Sequence, residues 1–112
     1  MQRSEYKVQY TLAARNDIVE MKRYILDNFK YHELGEKFLA KIKKGVEGIR
    51  VFPNAYAPIG IKYRGLDIKF RVYRGYVFLY VVDQVIMKVL ILRIMQDDMD
   101  WRNILRYWLL HN

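Results

Sequence analysis

The sequence predicts a single α+β domain in which helices pack on a twisted antiparallel sheet. The chain has 112 residues, a length that suits one domain spanning residues 1–112. Apolar periodicity is helical through the first half of the chain, whereas residues alternate with a period of two through much of the second half. Hydrophobic residues make up 53% of the composition, which is enough for a packed core.

The first predicted elements are a short strand and a helix. Residues 6–10 alternate between apolar and polar side chains, which predicts a half-buried strand. Thr11 can cap the following helix, which we expect to end near Phe29. The apolar face of this helix consists of residues three or four positions apart, namely Ala14, Ile18, Met21 and Ile25.

A second helix is predicted after an interruption at residues 30–33. Its apolar stripe consists of Phe38, Leu39, Ile42, Val46 and Ile49. Pro53 should end the helix, because a proline restricts the residue before it. Two helices joined by so short a link predict an antiparallel hairpin. Residues 53–60 contain both prolines and a glycine, so we expect a loop there.

Three or four antiparallel strands are predicted after this loop. Residues 61–64 and 68–73 alternate around a turn at Gly65. Residues 76–82 are nearly all apolar, which predicts a central strand covered on both faces. The last strand is expected over residues 85–94, directly after a turn at Asp83 and Gln84.

A helix is predicted at the C-terminal end. Residues 95–100, MQDDMD, are acidic and suit a helix start. An apolar stripe at helical spacing then follows, formed by Trp101, Ile104, Leu105, Trp108 and Leu109. This stripe can pack on the sheet or bind a partner helix, and packing is the simpler interpretation. We expect the helices to cover one face of the sheet and the charged strand residues to occupy the other face.

Charge and cysteine content narrow the function classes. The formal net charge of +8 indicates an anionic partner, such as nucleic acid, an acidic protein or a lipid surface. The absence of cysteine excludes disulfides and thiol catalysis, and it fits a reducing cytoplasm. No apolar run approaches the roughly 20 residues of a membrane span, and no secretory signal opens the sequence. We therefore expect a cytoplasmic protein without a membrane partner.

Cations are concentrated on the predicted strands after the loop. The candidates for nucleic-acid binding are Lys62, Arg64, Lys69, Arg71 and Arg74. Asp67 is the single acid among them, and Arg93 can join them from the last strand. A solvated strand face that resists edge-to-edge aggregation explains the same pattern, so both interpretations stand at this point.

Metal and cofactor sites are not expected. His32 and His111 lie in different regions without a second ligand at helical spacing. Cleavage of RNA needs no metal in principle, because the 2′-hydroxyl can attack its own phosphate while cations stabilise the transition state. Lys69, Arg71 and Arg93 are the candidate catalytic residues for that chemistry, and a Lys or Tyr would have to act as acid or base.

The ordered set of elements resembles the RelE/ParE superfamily of bacterial type II toxin–antitoxin toxins. The resemblance covers residues 6–105 and rests on the stretches YKVQYTLAARNDIVEMKRYI, FLAKIKKGVEGIRVFP, RGYVFLYVVD and VLILRIMQDDMDW. It implies a RelE/ParE-like fold and a growth-inhibiting toxin that a cognate antitoxin neutralises by wrapping it. RelE-like members cut mRNA on the ribosome without a metal, whereas ParE-like members inhibit DNA gyrase.

The match to the RelE-like nuclease pattern is partial. Lys69 and Arg71 match the paired basic positions of the family. Val77 stands where the pattern Tyr-Arg-x-x-Tyr has an arginine. Neutral or acidic residues occupy positions 95–98, where the family has a basic residue or a histidine.

Three functions follow from this resemblance. The departures favour a ParE-like toxin with a protein target such as gyrase. The alternatives are a ribosome-dependent mRNA endonuclease and a degenerate toxin that only binds its antitoxin. We expect Tyr80, Trp101 and Leu105 to contact the antitoxin.

Overall fold

The computed structural model describes residues 6–29 and 31–112. Its elements, in chain order, are β1 (Lys7–Tyr10), α1 (Leu12–Phe29), α2 (His32–Val51), β2 (Pro58–Tyr63), β3 (Leu66–Tyr73), β4 (Tyr76–Asp83), β5 (Lys88–Gln96) and α3 (Trp101–Leu110). This order confirms the predicted α+β class. Lys30, in the predicted break between the helices, lies outside the described residues.

The strands form one five-stranded sheet in the order β1-β5-β4-β3-β2. The four strands after the helices pair antiparallel with one another, as predicted. β1 adds a fifth, parallel strand at the edge, where Lys7 lies opposite Lys88 and Tyr10 lies opposite Ile91. The first strand of the chain therefore forms one edge of the sheet, and β4 lies at its centre.

Both faces of β4 are buried because its side chains alternate between two apolar clusters. Phe78, Tyr80 and Val82 pack with α1 and α2 on one face. Val77, Leu79 and Val81 pack with α3 on the other face. The helix pair and α3 therefore lie on opposite sides of the sheet.

The prediction that the helices cover one face is wrong. Leu105 of α3 is fully buried in the cluster that contains Val77. A central strand that is apolar on both sides needs cover on both sides, and the α3 stripe supplies the second layer. The predicted placement of the strand charges is wrong as well, since Lys69 and Arg71 lie on the side of α2.

The starts of β2 and β5 shift furthest from their predicted positions. β2 begins at Pro58, within the predicted loop, because proline is tolerated at the first residue of an edge strand. β5 begins at Lys88 rather than at residue 85. The Asp83 carboxylate accepts hydrogen bonds from the N–H groups of Val85 and Ile86, at 3.1 and 3.4 Å. These bonds hold the backbone in a turn, so the next strand begins later in the sequence.

The start of α1 agrees with the predicted cap. The Thr11 hydroxyl oxygen accepts a hydrogen bond from the Ala14 N–H at 3.0 Å. The same hydroxyl donates to the Leu92 carbonyl at 2.6 Å, which attaches the helix start to β5. Across residues 6–29 and 31–112, no helix combines the length and apolarity that crossing a bilayer requires.

Candidate functional site

Arg71 lies where β3 passes beneath α2. Its Nη1 donates hydrogen bonds to the carbonyl oxygens of Gly45 and Lys44, at 2.7 and 3.3 Å. The guanidinium carbon lies 4.6 Å from the ring centroid of Tyr73 and 5.3 Å from that of Tyr56. Arg71 is therefore held between the helix backbone and two aromatic rings.

Two glycines in α2 make room for this arrangement. A Cβ atom on Gly48 would lie 2.8 Å from Cζ of Arg71, and one on Gly45 would lie 2.6 Å from Cε1 of Phe78. Both distances are too short for any larger residue at these positions without movement of the neighbour. Sequence reasoning missed these two residues, although glycine inside an amphipathic helix is a signal of close packing.

Tyr73 is surrounded by three cations. Nε of Arg74 donates a hydrogen bond of 3.4 Å to the Tyr73 hydroxyl. That bond and the nearby charges of Arg74, Lys44 and Arg71 lower the pKa of Tyr73 from its ordinary value. The β3–β4 turn and α2 thus bring positive charge to one phenol.

Lys69 and Lys62 share the sheet face of Arg71. Nζ of Lys69 donates to Oδ1 of Asn54 at 3.4 Å. Lys62 is the neighbour of Asp67 in the β2–β3 register. The structure thus brings Lys62, Lys69 and Arg71 to one side of the sheet.

Arg64 lies apart from this group. Its guanidinium carbon lies 5.1 Å from the centroid of the Tyr63 ring. That ring in turn stacks on Trp108 of α3, with ring centroids 6.0 Å apart. The Arg64 side chain therefore lies on the α3 side of the sheet.

Arg93 does not join the basic group. Its Nε and Nη2 donate to the Asp17 carboxylate at 2.7 and 2.8 Å, and the two side chains are only 16% and 13% exposed. The same carboxylate accepts the Ile94 N–H at 3.0 Å. β1 pairs with β5 only as far as Ile91, so this N–H lies beyond the paired edge and Asp17 satisfies it.

Val77 is fully buried and belongs to the cluster under α3. Lys69 and Arg71 lie on the opposite face of the sheet, next to α2. The loop after β5 is exposed and is attached to the β3–β4 turn by a hydrogen bond of 2.9 Å from the Asp97 N–H to the Gly75 carbonyl. Val77 therefore faces away from Arg71, whereas the loop after β5 adjoins the β3–β4 turn.

The three residues predicted to contact an antitoxin differ in accessibility. Tyr80 is fully buried, and its hydroxyl donates to the Pro53 carbonyl at 2.7 Å. Leu105 is fully buried as well. Trp101 is half-buried and lies beside Phe70, with ring centroids 5.8 Å apart. A partner at the surface can reach only Trp101 without rearrangement of the core.

An apolar groove opens between α1 and the end of the sheet. Its volume is about 400 Å³, and its lining consists of Glu20, Met21, Tyr24, Ile25, Phe29, Tyr76 and Gln96. Tyr24 and Phe29 are 60% and 51% exposed, and Tyr31 beyond them is 68% exposed. Large aromatic side chains at this exposure are characteristic of interaction surfaces.

The histidines lie outside both surfaces. His32 begins α2 and is exposed, and Nδ1 of His111 lies 2.8 Å from the Tyr107 carbonyl at the end of α3. Within the described part of the chain, no three His, Asp or Glu side chains come together as metal ligands.

Comparison with known proteins identifies one family. The family described as ParE toxin of type II toxin-antitoxin system, parDE, matches residues 8–101. No curated protein matches the chain.

Two solved structures share the fold. A chain of the chromosomal ParDE system from P. aeruginosa aligns with 16% identity and a TM-score of 0.66, covering 83% of this chain and 97% of the other. A chain of the toxin–antitoxin complex RelBE2 from Mycobacterium tuberculosis aligns with 22% identity and a TM-score of 0.56, covering 82% and 98%.

Proposed function

The chain belongs to the ParE toxin family of type II toxin–antitoxin systems, and we propose that the free protein arrests growth by engaging a protein target rather than by cleaving RNA. A cognate antitoxin neutralises it. The resemblance to ParE-like toxins makes DNA gyrase the first target to test.

The separation of Arg93 from Lys69 and Arg71, together with the missing charge at Val77, carries this proposal. Arg93 is neutralised by Asp17, and Nη1 of Arg71 is engaged by α2. Val77 supplies no charge and lies on the face away from Arg71. A phosphoryl transition state needs donors aimed at one point, and removing one such donor typically costs about 2.7–4 kcal/mol. Of the three candidate catalytic residues, Lys69 and Arg71 lie on one face of the sheet, whereas Arg93 is paired with Asp17 and does not converge with them.

Acid–base groups give no better support for cleavage. General acid–base catalysis is most efficient when the pKa of the acid or base lies near the working pH, and histidine meets that condition most readily. His32 and His111 begin and follow different helices, away from the Arg71 side of β3. Tyr73, with its lowered pKa, already accepts a hydrogen bond from Arg74.

We place the antitoxin on the apolar groove of α1. Tyr24 and Phe29 offer exposed aromatic area there, whereas Tyr80 and Leu105 lie within the core. Aromatic anchors in pockets supply most of the binding energy of protein interfaces. An apolar segment of the antitoxin that fills the groove would cover these rings.

Two reactions with the purified protein test the proposal. The first is supercoiling of relaxed plasmid by DNA gyrase, and the second is mRNA integrity on translating ribosomes. We expect the free protein to block supercoiling and to leave transcripts intact, and prior mixing with antitoxin to restore supercoiling. Transcripts cut within codons, with supercoiling unaffected, would overturn the proposal. Inactivity in both reactions would instead favour a chain that only binds its antitoxin.

A further inference from the structure

We propose that the trough between α2 and β3 binds the phosphate backbone of nucleic acid without reading its sequence. The trough is formed by one flank of α2 and by the β3 residues beneath it. Its cations are Lys37, Lys41, Lys44, Lys69, Arg71 and Arg74. The α2 lysines are the part of this surface that sequence reasoning left out.

Helical geometry places the three lysines on the flank that faces β3. Gly48 lies against the Arg71 side chain, so the side of α2 that carries Gly48 faces β3. Successive residues of an α-helix are about 100° apart, and Lys37, Lys41 and Lys44 therefore lie within about 40° of Gly48 around the axis. All three side chains are exposed. They form a row of ammonium groups along the trough.

Arg71 is pre-positioned at the centre of the trough. Within the described residues only its Nη1 makes hydrogen bonds, which leaves the N–H groups of Nε and Nη2 for an incoming anion. The rings of Tyr56 and Tyr73 fix the guanidinium plane. Donors that are already ordered lose little conformational entropy on binding.

The acids near the trough lie at its ends or beside a cation. Asp67 is opposite Lys62 in the sheet register. Glu47 forms an ion pair of 2.6 Å with Arg50 on α2. Glu33 lies one turn before Lys37, at the start of the helix. The central part of the trough, from Lys41 on α2 to Arg74 after β3, therefore carries a concentrated positive charge.

Nucleic acid fits this surface better than an acidic protein does. The centres of protein interfaces are depleted in lysine and rich in large apolar side chains. In the described chain, the exposed large apolar residues on α2 or β3 or directly after them are Phe52, after the end of α2, and Val72, whose side chain is directed to the opposite face of the sheet. Rows of lysine and arginine neutralise phosphates and release counterions, without base contacts. Because Arg71 engages both tyrosine rings, we infer contacts to phosphates rather than stacking of bases.

Fluorescence anisotropy with labelled single-stranded and duplex oligonucleotides of mixed sequence tests this inference. We expect the full-length protein to bind them with an affinity that falls steeply as salt rises and hardly depends on sequence. Lys44→Glu should weaken binding about tenfold and reduce the slope of log affinity against log salt by about 1–2.

Lys43→Glu is the matched control. It makes the same charge change on the same helix, but Lys43 is exposed about 140° away from Gly48 around the axis. We expect an effect below about threefold, since only long-range charge changes. Circular dichroism verifies that both variants are folded.

Three results would overturn the inference. The first is absence of salt-sensitive binding by the unmodified protein. The second is an equal loss of binding in the Lys43 and Lys44 variants. The third is competition by poly-glutamate as effective as that by an unlabelled oligonucleotide of equal length, which would assign the trough to acidic proteins.

Discussion

Gly48 of α2 and Arg71 of β3 share a space that leaves no room for a methyl group. A Cβ atom on Gly48 would lie 2.8 Å from the guanidinium carbon. The helix backbone approaches the strand closely enough for Arg71 to donate to the Gly45 carbonyl at 2.7 Å. The absence of a side chain on one residue thus decides where the charge of another is held.

The two α2 glycines should respond differently to alanine. In Gly48→Ala the long Arg71 side chain can swing out, and the loss of its hydrogen bond is offset by a helix-propensity gain of about 1 kcal/mol. We expect the free energy of unfolding to change by less than about 1 kcal/mol. In Gly45→Ala the buried Phe78 ring must move, at a cost of about 1–3 kcal/mol. Urea unfolding of both variants measures the difference, and an equal loss would contradict this account.

The Asp17–Arg93 pair should contribute more to stability than an exposed pair does. Asp17→Ala leaves Arg93 and the Ile94 N–H without their acceptor in a site that is largely buried. We expect a loss of about 3 kcal/mol. Asp17→Asn should lose less, because the amide oxygen still accepts the Ile94 N–H.

Glu20→Ala provides the control for this pair in thermal or urea unfolding. Glu20 and Arg23 form an ion pair whose side chains are 69% and 62% exposed. An exposed pair of this kind contributes less than about 1 kcal/mol. Equal losses for Asp17→Ala and Glu20→Ala would show that the β5 edge does not depend on Asp17.

Tyr80 should make stability depend on pH in the alkaline range. Burial raises the pKa of Tyr80 above its ordinary value of 10.0. Above about pH 10 the unfolded chain releases this proton while the folded chain retains it, so the free energy of unfolding falls as pH rises. Burial also raises the pKa of Tyr10 and Tyr76, which adds to the fall.

Tyr80→Phe separates the contribution of this residue. At neutral pH it should cost about 1–3 kcal/mol, because the Pro53 carbonyl loses its buried donor. Between about pH 9 and pH 11 its stability should fall less steeply than that of the unmodified chain. Tyr24→Phe, at a 60% exposed position, should change neither value. Urea titrations across this pH range check both, and parallel curves would contradict the assignment to Tyr80.

The aromatic groove should be required for antitoxin binding. Replacing Tyr24 and Phe29 together with alanine removes exposed anchors, so we expect affinity to fall at least about a hundredfold with little loss of stability. The matched control is Val85→Ala with Ile86→Ala, which removes apolar groups that are 92% and 59% exposed at the β4–β5 turn. Calorimetric titration with the antitoxin measures both. Equal affinities for the two double variants would move the interface away from the groove.

Local patterns predicted the individual elements well. The Thr11 cap, the two apolar stripes of the helix pair and the central position of β4 depend on residues close in sequence, and each is confirmed. The pairing of β1 with β5 joins residues about 80 positions apart, and no local period records it. The same limit applies to the Asp17–Arg93 pair, whose residues are separated by 76 positions.

The choice of sheet face was the main failure of sequence reasoning. Alternation along β3 correctly separates Lys69 and Arg71 from Ile68, but it does not say which side of the sheet each set faces. That choice depends on where α3 packs and on the room that Gly45 and Gly48 leave under α2. The candidate basic residues were thus found by type, whereas their partners required the three-dimensional structure.

The order in which syntheses stop after induction tests the central claim most directly. Cells that express the protein without antitoxin are pulse-labelled for DNA, RNA and protein, and the 5′ ends of transcripts are mapped in the same samples. The account predicts that DNA synthesis falls first while transcripts remain intact. Immediate loss of protein synthesis, with new 5′ ends inside translated codons, would contradict it.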